Sequence, residues 1–356
     1  MPAPVRDAAG EARAAAQDAG LRYVDDTMPG ILRRRAGPRG FVYLDDGVRV
    51  RHAATLARIR SLALPPAYES VWICRDPRGH LQATGIDQRG RKQYRYHDAW
   101  VALRERDKYA RLHAFGMALP RLRAHVARDL RGHPLARDTV LAAVVYLLDQ
   151  TLVRVGNRRY AHQNRSYGIT TLQRRHMKLH GSRLRMQFTG KSGVQHDVVL
   201  SDTRLARIVR SCAELPGQQL FNYRDADGIT HEVGSTDVNA YLQAVMGSDF
   251  TAKDFRTWSG SVLALGCLRK LPGPLAQDRE DARAITAAIR EVARQLRNTV
   301  AVCRKCYVHP AVLAAYTGGT LAACVLHRRS GLRQDERRLL TLLQDWHASC
   351  ENNTGN

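Results

Sequence analysis

The chain has no apolar run long enough to cross a bilayer. Its longest, Val140 to Leu148, falls far short of the roughly 20 residues a membrane helix requires. The N-terminus is rich in alanine but lacks the basic start and apolar centre of a secretory leader, so a cytoplasmic protein is expected. Cysteine is sparse: the seven are odd in number and irregularly spaced, which argues against a disulfide framework and fits a reducing compartment. Cys303 and Cys306 form a C-x-x-C, but no second pair stands at zinc spacing. Acidic residues are also short, 33 against 56 basic ones, and the basic regions lack the carboxylate cluster that two-metal phosphoryl transfer needs, so no metal is expected. A nucleotide-binding phosphate loop is missing too. Gly190-Lys191-Ser192 supplies the end of that motif, yet position 185 is Arg where the motif requires Gly.

What the chain has in excess is positive charge. A net charge of +23, with a pI near 10.4, is spread along the sequence and not confined to a tail. That is the electrostatic footprint of a nucleic-acid binder; a bare membrane surface is the weaker reading. Lysine occurs at only seven positions, so arginine carries most of the charge and suits bidentate phosphate contact, although a GC-rich coding bias raises arginine in the same way. With 356 residues and 44% apolar content the chain can bury real cores, and its length suggests two domains.

Residues 1–20 carry an Ala-rich helical pattern. Phe41 to Leu44 and Val48 to Arg51 flank Asp45-Asp46-Gly47 as a hairpin, and His52 to Leu62 reads as a short helix. A second hairpin joins Val71 to Cys74 with His80 to Thr84 through Asp76-Pro77-Arg78-Gly79. Gly85 to Tyr96 alternates aromatic and cationic residues. A strand lying on a nucleic acid backbone and a solvated strand with half-buried tyrosines both fit it. From His97 onward the apolar period changes from two to about 3.6. The expectation is an α+β protein, with a small antiparallel β-sheet domain over residues 1–97. A larger, mainly α-helical domain follows over residues 98–356, with a small β-hairpin sheet and a C-terminal tail.

In the second domain Asp98 to Arg111 and Leu119 to Arg131 read as two amphipathic helices. Asp138 to Val155 reads as a more apolar one, capped by Asp138 and closed by Arg154. Arg154 either favours that helix dipole or, between Val153 and Val155, points into a partly dry site where it needs an anion. Residues 151–200 hold ten basic residues and one acid, Asp197. Within them Arg183 to Phe188 and Val194 to Leu200 are strands, with Lys191 at a glycine-bounded tip. Such a lysine is either a solvated turn residue or a mobile proton donor to a neighbouring site. Ser201 is expected to cap a helix over residues 203–213. Thr251 and Asp254 stand at capping-box spacing, with Lys253 and Arg256 on one face. Residues 280–297 form a charged helix leading to Asn298, and residues 331–347 form another. Tyr307 follows Arg304-Lys305 and precedes a helix-stopping Pro310. A phenol ordinarily titrates near 10, so a nucleophilic tyrosine needs cations that stabilise its anion and the charge on an electrophile such as phosphate.

Arg154, Lys191, Arg256, Asn298 and Tyr307 each sit at an element end or turn from which they can converge on one phosphate. The most specific ordered motifs are Gly85-x-Asp87-x-x-Gly90-Arg91-x-Gln93-Tyr94-x-Tyr96, Arg154-Val-Gly-Asn157, Tyr167-Gly-Ile-Thr-Thr-Leu172, Thr189-Gly-Lys191, Thr251-Ala-Lys-Asp-Phe-Arg256 and Lys305-x-Tyr307. Together they resemble the type IB DNA topoisomerases, in particular the short poxvirus-like and bacterial form, from about residue 20 to residue 315. The resemblance implies that Tyr307 attacks a DNA phosphodiester, giving a 3′-phosphotyrosyl bond and a free 5′-hydroxyl strand that swivels and is rejoined. It implies that Arg154 and Arg256 hold the non-bridging oxygens and that Lys191 protonates the departing 5′ oxygen. Asn298 stands where most of the family has His; its amide can still donate a neutral hydrogen bond to the same oxygen. The implied DNA contacts are Tyr94, Tyr96, Gln93, Arg91, Tyr160 and Lys253. The implied partner is double-stranded DNA, clamped by a monomer in the nucleoid, without membrane or nucleotide cofactor, because one phosphodiester is exchanged for another. A tyrosine recombinase shares the nucleophile and the two arginines but usually carries His-x-x-Arg where this chain has Lys253-x-x-Arg256. A non-enzymatic basic DNA-binding protein leaves the spacing of Lys191, Arg256 and Tyr307 unexplained.

Overall fold

The Asp46-Gly47 pair does what its chemistry predicts. Both residues have positive φ, 47° and 84°, and they join two antiparallel strands through a two-residue turn with Asp45 opposite Val48. The computed structural model of the chain describes residues 8–37, 40–88, 90–247, 250–271, 278–321 and 330–354. These fall into two compact units, Met1–Lys108 and Tyr109–Asn356.

In the first unit helix α1 (Ala8–Asp18) precedes strands β1 (Ile31–Ala36), β2 (Gly40–Asp45) and β3 (Val48–Arg49). Helix α2 (Ala53–Ser61) and strands β4 (Glu69–Ile73), β5 (Leu81–Ile86) and β6 (Lys92–Tyr96) complete it. The six strands form one antiparallel sheet in the order β3-β2-β1-β4-β5-β6. One face buries Ile31, Ile73 and Ala83 against Ile59 of α2, and the other buries Trp72, Cys74 and Leu81. Strand β6, with its exposed tyrosines, is an edge. Period-two patterning therefore gives way to helix where the sequence indicated, at residue 97, since α3 begins at Asp98.

Helix α3 runs unbroken from Asp98 to Asp129, where two helices were expected. Gly116, between the two expected helices, and Pro120, near the start of the second, have packing reasons to be there. A side chain at Gly116 would overlap the indole of Trp258 by approaching it to 2.4 Å, so glycine admits the tryptophan. Pro120 lies inside the helix between Phe115, Leu119 and Leu122, all at most 1% exposed, and burial of that face outweighs the lost backbone bond.

The second unit is built around α4 (Arg137–Thr151), which is buried almost throughout. Around it lie α5 (Arg158–Asn164), the sheet β7 (Met177–His180), β8 (Arg183–Thr189), β9 (Gln195–Ser201), and α6 (Thr203–Glu214). The hairpin β10 (Asn222–Arg224) and β11 (Thr230–Glu232) follows, then α7 (Ser235–Met246), α8 (Ala252–Leu268), α9 (Asp278–Leu296), α10 (Val300–Cys306), α11 (Pro310–Thr317) and α12 (Gln334–Thr354). Half-buried Arg123 of α3 forks between Asp149 of α4, at 2.9 Å, and Glu336 of α12, at 2.7 Å, tying the last helix to the core. Among the described residues no helix is long and apolar enough to cross a membrane.

Several end signals differ from expectation. Helix α4 stops at Thr151 because Leu152 turns left-handed (φ 59°), so Arg154 lies beyond the helix and does not close it. Asp138 sits in the first turn of α4, whose N-cap is Ala136. Asp202, not Ser201, caps α6, its carboxylate accepting from the amides of Arg204 and Leu205. Pro310 does not stop α10; it opens α11 at the first turn, where its missing N–H costs nothing.

Candidate active site

The site is framed by backbone. Ile169 N donates to Arg154 O (2.9 Å) and Thr170 N to Val155 O (2.7 Å), latching the Arg154 segment onto the Tyr167-Gly-Ile-Thr-Thr segment. Gly168 and Gly156 make the approach possible: a Cβ on Gly168 would lie 2.5 Å from Gly156 N, and Gly156 has φ 105°. Tyr167 N in turn donates to Thr189 O (2.9 Å), at the end of β8. The motifs carrying Arg154 and Lys191 are thus one hydrogen-bonded frame. Lys191 is exposed and opens the short turn between β8 and β9, which Gly190 N closes on Val194 O at 2.7 Å.

Helix α8 supplies the centre. Its first turn is locked by the carboxylate of Asp254, which accepts from Thr251 N (2.7 Å) and Thr251 Oγ1 (3.0 Å). Arg256 follows, 4% exposed, while Lys253 faces solvent, so the two do not share a burial face. The Arg256 guanidinium donates to Leu152 O at the end of α4 and to Leu296 O (2.8 Å) at the end of α9. Helix C-termini carry partial negative charge, so both carbonyls are suitable neutral partners for a buried cation. Each of these helix ends is followed by a turn, with Leu152 and Arg297 both at positive φ. Two residues beyond each carbonyl stand Arg154 and Asn298.

The same guanidinium lies over the Tyr307 ring, 5.1 Å from its centroid. Tyr307 ends α10, and α8 approaches it closely: a Cβ on Gly260 would come within 2.5 Å of Tyr307 O. The hydroxyl of Ser261 accepts from His309 N at 2.9 Å, and that of Tyr109 lies 2.9 Å from Lys305 O and 3.0 Å from Val308 O, fixing the chain on both sides of the tyrosine. Asn298 Oδ1 accepts from Thr299 N (3.1 Å), which leaves its amide nitrogen as the donor.

Electrostatically the site is unbalanced. Among the described residues neither Arg154 nor Arg256 has a carboxylate partner, and Arg256 Nε has no partner at all. Burial, then the neighbouring Arg154, push the Arg256 pKa down. The lone acid of the basic segment, Asp197, is taken by Arg185 at 2.6 Å. His196, the next residue toward the turn, points to the buried side of β9, and its pKa falls to about 4 through burial and the fields of Arg297, Arg154 and Arg256. A ring that titrates so low stays neutral in the presence of three cations.

The structure thus places Tyr307, Arg256 and Arg154 together, with Asn298 and the Lys191 turn attached to the same frame. In the first unit, Asp87 accepts from Arg91 Nε and Gln93 Nε2, both at 2.8 Å, orienting two of the expected DNA-contact residues. Tyr94 and Tyr96 stack with centroids 6.1 Å apart, and both are exposed. The backbone of residue 160 belongs to α5, but the Tyr160 side chain lies outside the described residues. Sequence reasoning missed Arg297, which donates to the carbonyl of Gln195 and so ties the α9 end to β9. It also missed an open groove of about 530 Å³ beside β8 and β9, lined by Arg165, Tyr167, Arg175 and His176.

Comparison with known proteins shows the family. Residues 97–322 match the family model described as eukaryotic DNA topoisomerase I, catalytic core, and residues 40–87 match that of the bacterial DNA topoisomerase IB N-terminal domain. DNA topoisomerase 1B of Acanthamoeba polyphaga mimivirus is 32% identical over 81% of this chain and 88% of its own length. The DNA topoisomerase 1B of vaccinia virus is 24% identical over 37% of this chain and 42% of its own. The chain belongs to the type IB DNA topoisomerases, and it is an enzyme of that class.

Proposed function

We propose that the protein relaxes supercoiled duplex DNA as a monomer, through a transient break in one strand and without ATP or an obligatory metal. Tyr307 Oη forms a bond to phosphorus while the bond from phosphorus to the 5′ oxygen breaks. The phenol proton passes to water, and Lys191 donates a proton to the departing oxygen. Arg154 and Arg256 stabilise the charge that builds on the non-bridging oxygens, with the Asn298 amide as a neutral donor. Rejoining reverses each step, so the bond energy is kept and no external energy source is required. The observation that carries this reading is the buried Arg256 guanidinium over the Tyr307 ring, with Arg154 beside it and no carboxylate to neutralise either cation among the described residues. Tyr94, Tyr96, Gln93, Arg91, Tyr160 and Lys253 are proposed DNA contacts, joined by Arg165 and Arg175 of the groove.

The test is relaxation of supercoiled plasmid in EDTA without ATP, run beside Tyr307→Phe. Relaxation of both supercoil signs that vanishes in the Phe protein is the expected result. DNA binding without relaxation by the parent protein rejects the reading and favours a recombinase.

A further inference from the structure

His196 is a deeply buried titratable group at the site to which the proposed reaction gives no role. Its ring stacks on Phe188, the residue opposite it in the β8–β9 ladder, at 4.6 Å between centroids and 9 in ten of its surface is covered, 6% remaining exposed. Its Nδ1 has no hydrogen-bond partner. Its other edge abuts the Lys191 turn: a Cβ on Gly190 would lie 2.6 Å from Nε2 and 2.7 Å from Cδ2. Gly190 has ordinary negative φ (−93°), so its backbone would accept alanine, and only the imidazole excludes a side chain there. The glycine is thus explained by contact with His196 and not by turn conformation.

We propose that His196 and Gly190 form a positioning pair whose close contact sets the Lys191 turn so that its ammonium reaches the 5′ oxygen. This rests on the reading of Lys191 as the proton donor. The imidazole is held flat by Phe188 on one side and presents its edge to the peptide preceding Lys191 on the other. Its neutrality among Arg154, Arg256 and Arg297 lets it serve as a floor without adding a fourth cation. A methyl at Gly190 or a void at His196 shifts the turn while leaving Tyr307 and the two arginines in place.

The experiment is single-turnover cleavage of a duplex carrying a cleavage site mapped on plasmid DNA, with either the natural 5′ oxygen or a bridging 5′ sulfur as leaving atom. A thiol titrates near 8.5, so the P–S bond breaks with departure of a thiolate and no proton donor is needed. Gly190→Ala and His196→Ala should each slow cleavage of the oxygen substrate by about tenfold to a hundredfold, at or below the lower end of general-acid effects as fits a donor displaced and not removed, and recover nearly parental rates with sulfur. The double variant should cleave the oxygen substrate faster than Gly190→Ala alone, because removing the ring makes room for the methyl. Gly190 is buried but adjoins the exposed Lys191–Gly193 turn and lies at the end of the β8–β9 ladder, so Gly190→Ala reports even where His196→Ala folds poorly. Lys191→Ala is the control. Should sulfur restore Lys191→Ala but neither positioning variant, the inference is overturned while the proton-donor reading stands. Should sulfur fail to restore Lys191→Ala, that reading falls and takes the inference with it.

Discussion

At the scale of single residues, Asn298 stands where the resemblance leads one to expect a histidine, and the geometry explains how an amide can serve in the proposed reaction. Its oxygen is committed to Thr299 N, so its nitrogen is the group left to donate, as a neutral imidazole N–H would. Asn298→His should therefore keep or raise the cleavage rate, measured as covalent adduct formed per unit time; complete loss in a folded protein would show that the turn after Arg297 admits only the smaller side chain. The catalytic candidates were legible because each carries chemistry at a boundary that glycine, proline or a cap announces. Arg297 and His196 were not. One is an arginine among 48 others, with a left-handed turn that nothing in its type predicts, and the other looks like any buried strand residue until its contact with Gly190 is seen.

At the scale of elements, α8 is the part that positions the chemistry. One face carries Arg256 and, a turn later, Gly260, so the same helix holds the cation and receives the backbone of Tyr307, the proposed nucleophile. Alanine is favoured over glycine inside a helix by about 1 kcal/mol, yet a methyl at 260 would meet Tyr307 O at 2.5 Å. Gly260→Ala should consequently slow adduct formation by about tenfold or more, as misplacement of a reacting group does, while DNA affinity stays near that of the parent; unchanged cleavage would mean that α10 yields without cost. The sequence indicated this helix through its capping box, but the need for glycine four residues after Arg256 is a tertiary fact. The same holds for α3, where Gly116 is needed for packing against Trp258 and Pro120 is accommodated within one continuous helix.

At the scale of the whole molecule the dominant quantity is charge. A net +23, with the lone acid of the basic segment already paired to Arg185, leaves much cationic surface for phosphate. Counterion release then makes DNA affinity fall by about a hundredfold or more between about 50 and 200 mM salt, with processive relaxation becoming distributive; a flat titration of binding against salt would count against so extended a contact. The change from strands to helix was legible in the change of period near residue 97, because a pleated sheet and a helix bundle impose different spacings on the same apolar residues, while the compact units divide further on, within α3 at Lys108. The joint between α4 and α9 was not, since it is a single side chain reaching two carbonyls 144 positions apart, Leu152 and Leu296. That joint gives the enzyme a linkage between occupancy and rigidity. An anion drawn to Arg256 pulls on the cation that staples both helix ends, and the work of opening either end is then shared with the work of releasing the anion. With Arg256 in its proposed role, substrate and scaffold hold the same guanidinium, so the free energy of gripping DNA also damps local unfolding at residues 152–156 and 296–299.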